Sequence, residues 1–198
     1  MPAVNFVSVQ DLACAPASPD APAADACLAA ARTGDAAAFV RLVQSQQSRV
    51  FSLALRLTGQ REEAEELAQD TFLQLHGNLE RIQSPEHLRF WLCRTVTHRA
   101  IDALRRRTRR AKLVAVAGGE DAVTAAPEAD PFLQRRLRAL LLQLPAVPRA
   151  VVVLRYQEGL APTQIAAVLA LSHNTVKSHL RRSLEWLRHQ GLERFHGS

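Results

Sequence analysis

Apolar residues recur three or four positions apart through most of this chain, which is the spacing of one buried helix face. Phe39, Leu42 and Val43 show this spacing first, and the run from Val50 to Leu57 repeats it. With only 5% aromatic residues and many Ala and Leu, the composition also favours packed helices over a β-sandwich. The sequence therefore predicts an all-α fold.

The length of 198 residues allows one domain or two small ones. An apolar content of 47% is enough to bury a core. The sequence contains no apolar run of 18 residues, and its N-terminus has no basic flank ahead of an apolar stretch. We therefore expect neither a membrane insertion nor a secretory signal. The cysteines, Cys14, Cys27 and Cys93, are odd in number and lack CxxC spacing, so a disulfide framework and a zinc site are not supported. A reducing cytoplasm fits best.

Composition changes divide the chain into segments. Residues 13–31 hold ten alanines and three prolines, and Gly118, Gly119, Pro127 and Pro131 lie among acidic residues further on. The predicted segments are a disordered tail (1–24), a helical domain (25–110), a flexible acidic linker (111–131), a second helical domain (132–190) and a short tail (191–198). Two small all-α domains on a tether are therefore expected.

Glycine and proline positions predict where the helices begin and end. In the first domain, a helix ends at Gly59, a second covers Arg61 to Leu75, a loop covers Gly77 to Glu86, and a third helix covers His87 to Arg110. In the second domain, a helix from Leu133 is closed by Pro145, and three more are predicted: Pro148 to Gly159, Pro162 to about Leu169, and Ser172 to about His189.

The positive charge is concentrated in one short segment. Six cations contribute as much charge as the whole net charge of +6, and they are Arg105, Arg106, Arg107, Arg109, Arg110 and Lys112. So local a cluster in a chain with a pI near 10.2 indicates a polyanion partner. Nucleic acid is the first candidate and an acidic membrane surface the second.

No enzyme signature is present. The sequence lacks GxGxxG, GxxxxGK[ST], HExxH and GxSxG, and its seven histidines are scattered. We expect no catalysis, no cofactor and no metal. The acidic run from Glu62 to Asp70 follows a helix start, where carboxylates favour the positive end of the dipole. Such a run is either a solvated face or a docking surface for a basic partner.

The C-terminal stretch carries the most specific pattern. Ile165, Ala166 and Leu169 form the apolar stripe of a short helix, and Ser172 is a good N-cap for the helix that follows. That helix has an apolar face of Val176, Leu180, Leu184 and Leu187 and a polar, basic remainder. The pattern predicts a helix-turn-helix whose second helix reads the major groove. The alternative is a helical hairpin with a solvated basic face.

The long helix before the arginine cluster permits two interpretations. Arg89, Arg94 and Arg99 lie on its polar surface, and Trp91 lies nearby. Arginines with aromatic rings suit a strand with unstacked bases. Alternatively, Trp91 belongs to the core and the cluster is a solvated helix end.

Several of these stretches together resemble bacterial RNA polymerase sigma factors. Residues 34–110, which include GDAAAFVRLV, RVFSLALRLTG, REEAEELAQDTFLQLH and FWLCRTVTHRAIDALRRR, resemble region two. Residues 144–188, LPAVPRAVVVLRYQEGLAPTQIAAVLALSHNTVKSHLRRSLEWLR, resemble region four. Two such regions with nothing large between them are the architecture of the extracytoplasmic function (ECF) type.

The resemblance implies three sets of site residues. Docking onto core RNA polymerase is implied for Glu65, Glu66, Gln69, Asp70, Phe72, Leu73 and His76. Contacts to promoter DNA at the minus-10 element, including capture of a flipped base by the loop near Gly77 to His87, are implied for Asn78, Arg81, Arg89, Arg94, His98, Arg105, Arg106 and Arg107. Contacts at the minus-35 element are implied for His173, Asn174, Thr175, Lys177, Ser178, Arg181 and Arg182.

The resemblance also implies an anti-sigma protein as a partner, as in many relatives. This chain departs from the family pattern at His76, where Trp is usual, at Cys93, where Tyr is common, and at His98, where Asn is frequent. Ala161 replaces the usual Ser or Thr cap, and Ala170 replaces the usual Gly of the turn. A left-handed conformation at Ala170 would cost roughly 1 kcal/mol. The rival class is a stand-alone helix-turn-helix regulator that binds DNA as a dimer.

Overall fold

The computed structural model describes residues 21–114 and 131–193, which form eight α-helices and one short 3-10 helix without any β-strand. The helices are α1 (Ala21–Arg32), α2 (Ala36–Thr58), α3 (Arg61–Asn78), η1 (Leu79–Arg81), α4 (Pro85–Val114), α5 (Pro131–Gln143), α6 (Ala146–Tyr156), α7 (Pro162–Leu169) and α8 (His173–Glu193). The predicted all-α fold is confirmed. Helices α1–α4 form a first helical domain and α5–α8 a second.

Helix α2 shows how local sequence sets helix ends. Asp35 caps its start, because the Asp35 carboxylate accepts hydrogen bonds from the amides of Ala37 (2.8 Å) and Ala38 (3.1 Å). Gly59 ends it in the left-handed conformation (φ 80°), and the Gly59 amide donates to the Leu55 carbonyl at 2.9 Å. The predicted end at Gly59 is confirmed.

Two segment predictions differ from the structure at their edges. Helix α1 begins at Ala21, inside the segment predicted as a tail, because alanine is the strongest helix former and a proline is tolerated in the first turn. Residues 1–20 lie outside the described part. The predicted linker covered residues 111–131. Its edges are helical, because α4 reaches Val114 and α5 starts at Pro131. Residues 115–130 lie outside the described part. Residues 194–198 also lie outside it.

The loop predicted from Gly77 to Glu86 is shorter than expected. Helix α3 continues to Asn78, η1 follows, and α4 already begins at Pro85. Burial of Leu79 and Ile82 draws this segment onto the core, and the Ser84 hydroxyl caps α4 by accepting from the His87 amide at 3.1 Å. Pro85 therefore opens the helix, which is a position that suits its fixed φ.

The predicted start of α6 at Pro148 is wrong. The helix begins at Ala146, because Pro145 is extended (φ −55°, ψ 155°) and its carbonyl accepts the first helical bond from the Arg149 amide at 2.9 Å. Pro148 sits in the first turn, where a missing N–H breaks no helical bond. The helix ends at Tyr156, three residues before the predicted Gly159, whereas α7 has the predicted bounds.

The two helical domains pack directly against each other. One continuous cluster of buried residues includes Leu53 and Leu57 of α2 and Val96 of α4 together with Leu154 of α6 and Ile165 of α7. Helix α6 contacts both α2 and α4, while α5 contacts α2 and α7 contacts α4. The sequence predicted two bodies on a tether, and their shared core is a feature that only the structure shows.

Candidate nucleic-acid interface

The turn between α7 and α8 has the helix-turn-helix geometry predicted from the sequence. Ala170 adopts the left-handed conformation (φ 53°, ψ 44°), the only non-glycine with positive φ in the described residues. The Leu171 amide then donates to the Ala166 carbonyl at 3.0 Å, and the Ser172 hydroxyl accepts from the Thr175 amide at 3.1 Å. The predicted Ser172 cap is therefore confirmed. Ala170 also adopts the left-handed conformation that is unfavourable for an alanine.

Helix α7 begins without a capping hydroxyl, because Ala161 has no side-chain oxygen. Gln164 supplies part of what is missing: its side-chain oxygen accepts from the Ala161 amide at 2.8 Å. This is half of the reciprocal capping box. The short helix is thus fixed at its start despite the departure from the family pattern.

Helix α8 presents a polar face to solvent. Val176 is fully buried and Ser183 nearly so, while Leu180, Leu184 and Leu187 of the predicted apolar face are half-buried. Of the residues predicted for the minus-35 contact, His173 and Thr175 are half-buried, and the exposed ones are Asn174, Lys177, Ser178, Arg181 and Arg182. We call these five exposed residues the recognition face.

Helix α4 divides the predicted minus-10 residues into two groups. Arg94, Arg105 and Arg106 are exposed, as is Arg81 of η1. Arg105 is only 3.6 Å from Asp102, an exposed pair that screening by water makes weak. These four cations are accessible to a polyanion.

The other minus-10 residues already have protein partners. The Asn78 side chain donates to the Gln74 carbonyl at 2.8 Å. Arg89 donates to the Glu158 carbonyl and His98 donates to the Val168 carbonyl, each at 2.6 Å. Arg107 lies 3.5 Å from the Thr58 carbonyl oxygen and 3.6 Å from a Glu63 carboxylate oxygen. Their side chains thus have partners within the protein, although Arg89 is also exposed to solvent.

A charged cleft of about 520 Å³ lies between the start of α3 and the end of α4. Its lining residues are Gln60, Glu62, Glu63, Glu66, Ala103, Arg106, Arg107 and Arg110. The acidic run thus faces part of the arginine cluster across this cleft. These carboxylates lower the net positive charge around the arginine cluster, an effect that the spacing of residues along the sequence did not indicate.

Helix α3 carries an exposed stripe of mixed chemistry. Its members are spaced three or four apart and lie on one helix face, and they are Glu66, Gln69, Leu73 and His76. Leu73 is the most exposed large apolar residue among those described, at 67%. The His76 ring also packs edge-on against Phe39, with centroids 5.1 Å apart. We call this stripe the docking face.

Three other residues predicted for polymerase docking lie differently. Phe72 is buried at 6% exposure and belongs to the core. Asp70 forms a salt bridge with Arg99 of α4, and Glu65 pairs with Arg61 at 2.9 Å along α3. Phe72 therefore fixes the helix to the bundle, and the two carboxylates are engaged with arginines of the same domain.

Glu158, in the turn between α6 and α7, was not singled out by the sequence. Its carboxylate is 2% exposed and accepts a hydrogen bond from Arg49 of α2 at 2.6 Å. The Cys93 thiol of α4 lies 3.5 Å from the same carboxylate oxygen. Burial, followed by the nearby Glu158 charge, raises the pKa of Cys93 to about 12. The thiol is therefore protonated and unreactive at neutral pH.

Arg149 of α6 is a second buried charge at the junction between the domains. It donates to the Leu57 carbonyl of α2, to the Leu142 carbonyl in the last turn of α5 (2.6 Å) and to the Leu144 carbonyl just after that helix (2.9 Å). Burial, with a smaller contribution from Arg107, lowers the pKa of Arg149 to about 10, so it remains charged. A cation at the carbonyl end of α2 also meets the negative end of that helix dipole.

Metal chemistry finds no support in the side chains that the structure describes, since they contain no group of three or more His, Cys, Asp or Glu placed to hold an ion. None of the described helices is long and apolar enough to cross a membrane. The site is thus defined by charge, hydrogen-bonding groups and helix geometry.

Comparison with known proteins agrees with this geometry. The profile of Sigma-70 region 2 matches residues 42–110, and that of Sigma-70, region 4 matches residues 134–187. The first match covers α3 and the described arginines of α4, and the second covers the helix-turn-helix. The two domains therefore carry the two matched regions in the order that the sequence resemblance implied.

Two curated relatives extend the match. The ECF RNA polymerase sigma factor SigE of Mycolicibacterium smegmatis is 37% identical over 165 residues, which cover 79% of this chain and 63% of SigE. The ECF RNA polymerase sigma factor SigL of Mycobacterium tuberculosis is 32% identical over 160 residues, which cover 77% of this chain and 88% of SigL. This chain belongs to the sigma-70 family of RNA polymerase sigma factors, and within it to the ECF type.

A solved structure supports the fold. The sigma factor RpoE from Bartonella quintana, in complex with the anti-sigma factor NepR, superposes with a TM-score of 0.65. The match has 19% sequence identity and covers 76% of this chain and 94% of that one. At this identity the likeness concerns the fold alone.

Proposed function

We propose that this protein binds core RNA polymerase and directs it to promoters by recognising their minus-35 and minus-10 elements. One observation carries the proposal: both family regions occur on one chain, and the helix-turn-helix region exposes a polar, cationic face on α8. The stand-alone regulator is not favoured, because the matched relatives are ECF sigma factors over most of this chain.

The recognition face is suited to the minus-35 duplex. An α-helix fits the major groove, where Asn pairs well with adenine and Arg with guanine. Asn174 and Arg181 are both exposed on α8, and Lys177 and Arg182 lie beside them for phosphate contacts. Base edges thus provide sequence preference, and phosphates provide most of the salt-dependent affinity.

The exposed cations of α4 and η1 are suited to the minus-10 element. Arg81, Arg94, Arg105 and Arg106 can neutralise phosphates of a strand that has left the duplex. Taking a base out of the stack costs a few kcal/mol, which contacts to the flipped base and its backbone must offset. In this proposal the chain breaks no covalent bond, and its binding free energy selects DNA and stabilises the melted strand.

The docking face is suited to a protein partner. Glu66, Gln69, Leu73 and His76 combine one carboxylate, two hydrogen-bonding side chains and a protruding apolar residue on a helix that Phe72 anchors to the core. We assign this face to core RNA polymerase. An anti-sigma protein is a further proposed partner, supported by the anti-sigma factor bound to the matched RpoE. We therefore propose a cytoplasmic location for the protein.

The experiment that tests the function measures complex size and transcription together. Mixing the purified chain with core RNA polymerase should give one larger species by size-exclusion chromatography. Sequencing transcripts after expression of the chain should then reveal a shared upstream motif pair. A chain that stays separate from core polymerase, and that dimerises on palindromic DNA, would support the rival regulator.

A further inference from the structure

The charged cleft between the start of α3 and the end of α4 has one acidic wall and one basic wall. The acidic wall belongs to α3 and the basic wall to α4, and their members are Glu62, Glu63 and Glu66 on one side and Arg106, Arg107 and Arg110 on the other. The formal charges of the two walls cancel, so the cleft is bipolar rather than cationic. A ligand with hydrogen-bond donors on one edge and acceptors on the next suits it better than a simple anion.

The contact between the two walls is incomplete at Glu63 and Arg107. Arg107 Nη1 lies 3.6 Å from Glu63 Oε2, which is beyond hydrogen-bond distance. Glu63 Oε2 is shielded from solvent and has no hydrogen-bond partner among the residues that the structure describes. The Arg107 contact with the Thr58 carbonyl is also long, at 3.5 Å. Because a buried carboxylate oxygen without a donor is unfavourable, this part of the cleft has hydrogen-bonding capacity left for a ligand.

Guanine is the nucleobase whose polar edges match the two walls. Its N1–H and N2 amino groups donate side by side, which suits a carboxylate, and its O6 and N7 atoms accept side by side, which suits a guanidinium. Since O6 lies next to N1, a neighbouring carboxylate and guanidinium can engage both edges of one base. Adenine, cytosine and thymine lack the adjacent pair of donor groups, so none of them matches the cleft equally well.

The size and lining of the cleft also suit a nucleotide. Its volume of about 520 Å³ falls within the range of about 300–1,000 Å³ that is typical of small-ligand sites. Ala103, which is 7% exposed, gives the lining an apolar surface for a flat base. Arg106 and Arg110 lie one helical turn apart and are both exposed, so they are accessible to a phosphate while Arg107 contacts the base.

We propose that this cleft is a binding site for guanine that carries a phosphate. Glu63 accepts from the N1–H and N2 amino groups, Arg107 donates to O6 and N7, and Arg110 contacts the phosphate. The bound base supplies the hydrogen bond that Glu63 lacks. The site goes beyond the proposed function, since the guanine belongs either to a free nucleotide or to an unpaired DNA strand, and both present the same chemistry.

Isothermal titration calorimetry of the purified full chain with guanosine monophosphate (GMP) tests the site. The comparison ligands are adenosine monophosphate (AMP) and inosine monophosphate, which lacks the N2 amino group. GMP should bind about tenfold more tightly than either, because a bidentate contact distinguishes bases by about that factor. Equal affinity for GMP and AMP would overturn the site, since contacts to phosphate alone would then explain the binding.

Two variants separate the contacts to the base from the contact to the phosphate. Glu63→Gln replaces one acceptor with a donor and should abolish the preference for GMP over AMP. Arg110→Gln should weaken the binding of GMP and AMP alike. Glu185→Gln alters an exposed carboxylate of α8 and is the matched control, which should bind GMP as the wild type does.

Circular dichroism monitors the fold of these variants. A folded Glu63→Gln protein that keeps the preference for GMP would contradict the assignment of Glu63. If this variant does not fold, the comparison of GMP with inosine monophosphate in the wild type decides, and equal affinity for the two would overturn the carboxylate contact.

Two oligonucleotides identify the source of the guanine. One is a single strand of thymines, and the other carries one central guanine in the same strand. Tighter binding of the guanine strand than of both the thymine strand and GMP would identify an unpaired DNA strand. Equal binding of the two strands, with GMP preferred over AMP, would identify a free nucleotide. A chain that binds guanine but never associates with core polymerase would refute the proposed function and leave this site standing.

Discussion

Ala170 shows that a single residue can hold a strained position in a motif. Its left-handed backbone (φ 53°) leads the chain from α7 into the turn before α8. For an alanine this conformation is unfavourable because Cβ crowds the neighbouring carbonyl oxygen. The packing of Ile165 and Val176, both fully buried on either side of the turn, is strong enough to impose it.

Replacing Ala170 with glycine should therefore stabilise the protein. We expect the free energy of unfolding to rise by roughly 0.5–1 kcal/mol, because relief of backbone strain exceeds the added entropy of the unfolded chain. Urea denaturation measures the change. The matched control is Ala167→Gly at an exposed position inside α7, which should destabilise by about 1 kcal/mol. Equal destabilisation by both changes would contradict the assignment of strain.

Arg181 is the recognition-face residue for which the expected effect is sharpest. Arg181→Ala should relax preference at one minus-35 base pair by roughly 1–3 kcal/mol if the guanidinium contacts guanine in bidentate fashion. Holoenzyme affinities for a panel of duplexes, each with one altered minus-35 base pair, provide the measurement. A uniform loss across the panel would show that Arg181 contacts phosphate only.

Helix α3 packs against the core on one side and carries the proposed docking face on the other. Phe72 and Leu75 face the bundle, while Gln69 and Leu73 face solvent. The sequence named Asp70 with this interface, but Asp70 is paired with Arg99. Removing Asp70 would thus disturb the domain as well as the surface, so variants of exposed residues give a cleaner test.

Changing Gln69 and Leu73 together to alanine should weaken binding to core RNA polymerase without changing the fold. We expect the binding free energy to weaken by roughly 1–3 kcal/mol, because the change removes a protruding apolar side chain and its neighbour from the contact surface. Fluorescence anisotropy with core enzyme measures affinity, and circular dichroism monitors the fold. Gln74→Ala, on another exposed side of α3, is the control. Undiminished affinity in the double variant would exclude this face from docking.

The arrangement of the two domains around one core has a consequence for unfolding. The chain has two tryptophans, Trp91 on α4 and Trp186 on α8, one in each domain. Since buried residues of both domains form one cluster and Glu158 joins them, the domains should unfold together. Each tryptophan therefore reports on its own half of a single transition.

Single-tryptophan variants test this coupling. In Trp91→Phe and Trp186→Phe proteins, the remaining fluorescence should give coincident urea midpoints. Adding Glu158→Gln should separate the two midpoints, because the domains then unfold with less mutual support. Midpoints that already differ in the single-tryptophan proteins would contradict a shared core in solution.

The sequence predicted those features that depend on neighbouring residues. The Gly59 stop, the Ser172 cap, the bounds of α7 and the polar face of α8 follow from helical spacing and capping chemistry, which act within a few residues. Errors arose where packing overrides such rules. Pro148 was predicted to be the first residue of α6, but the helix begins two residues earlier, at Ala146. Burial of Ile82 draws most of the predicted loop into helical structure.

The family and the all-α fold were therefore determined by the order of amino acids alone. Tertiary structure decided which charged groups meet: Arg49 and Glu158 are 109 positions apart, and no local spacing relates them. The same holds for the hydrogen bond from Arg149 of α6 to the Leu57 carbonyl of α2 and for the burial of Phe72. Such pairs depend on how whole helices pack, because only packing determines which charges are removed from water and must be compensated.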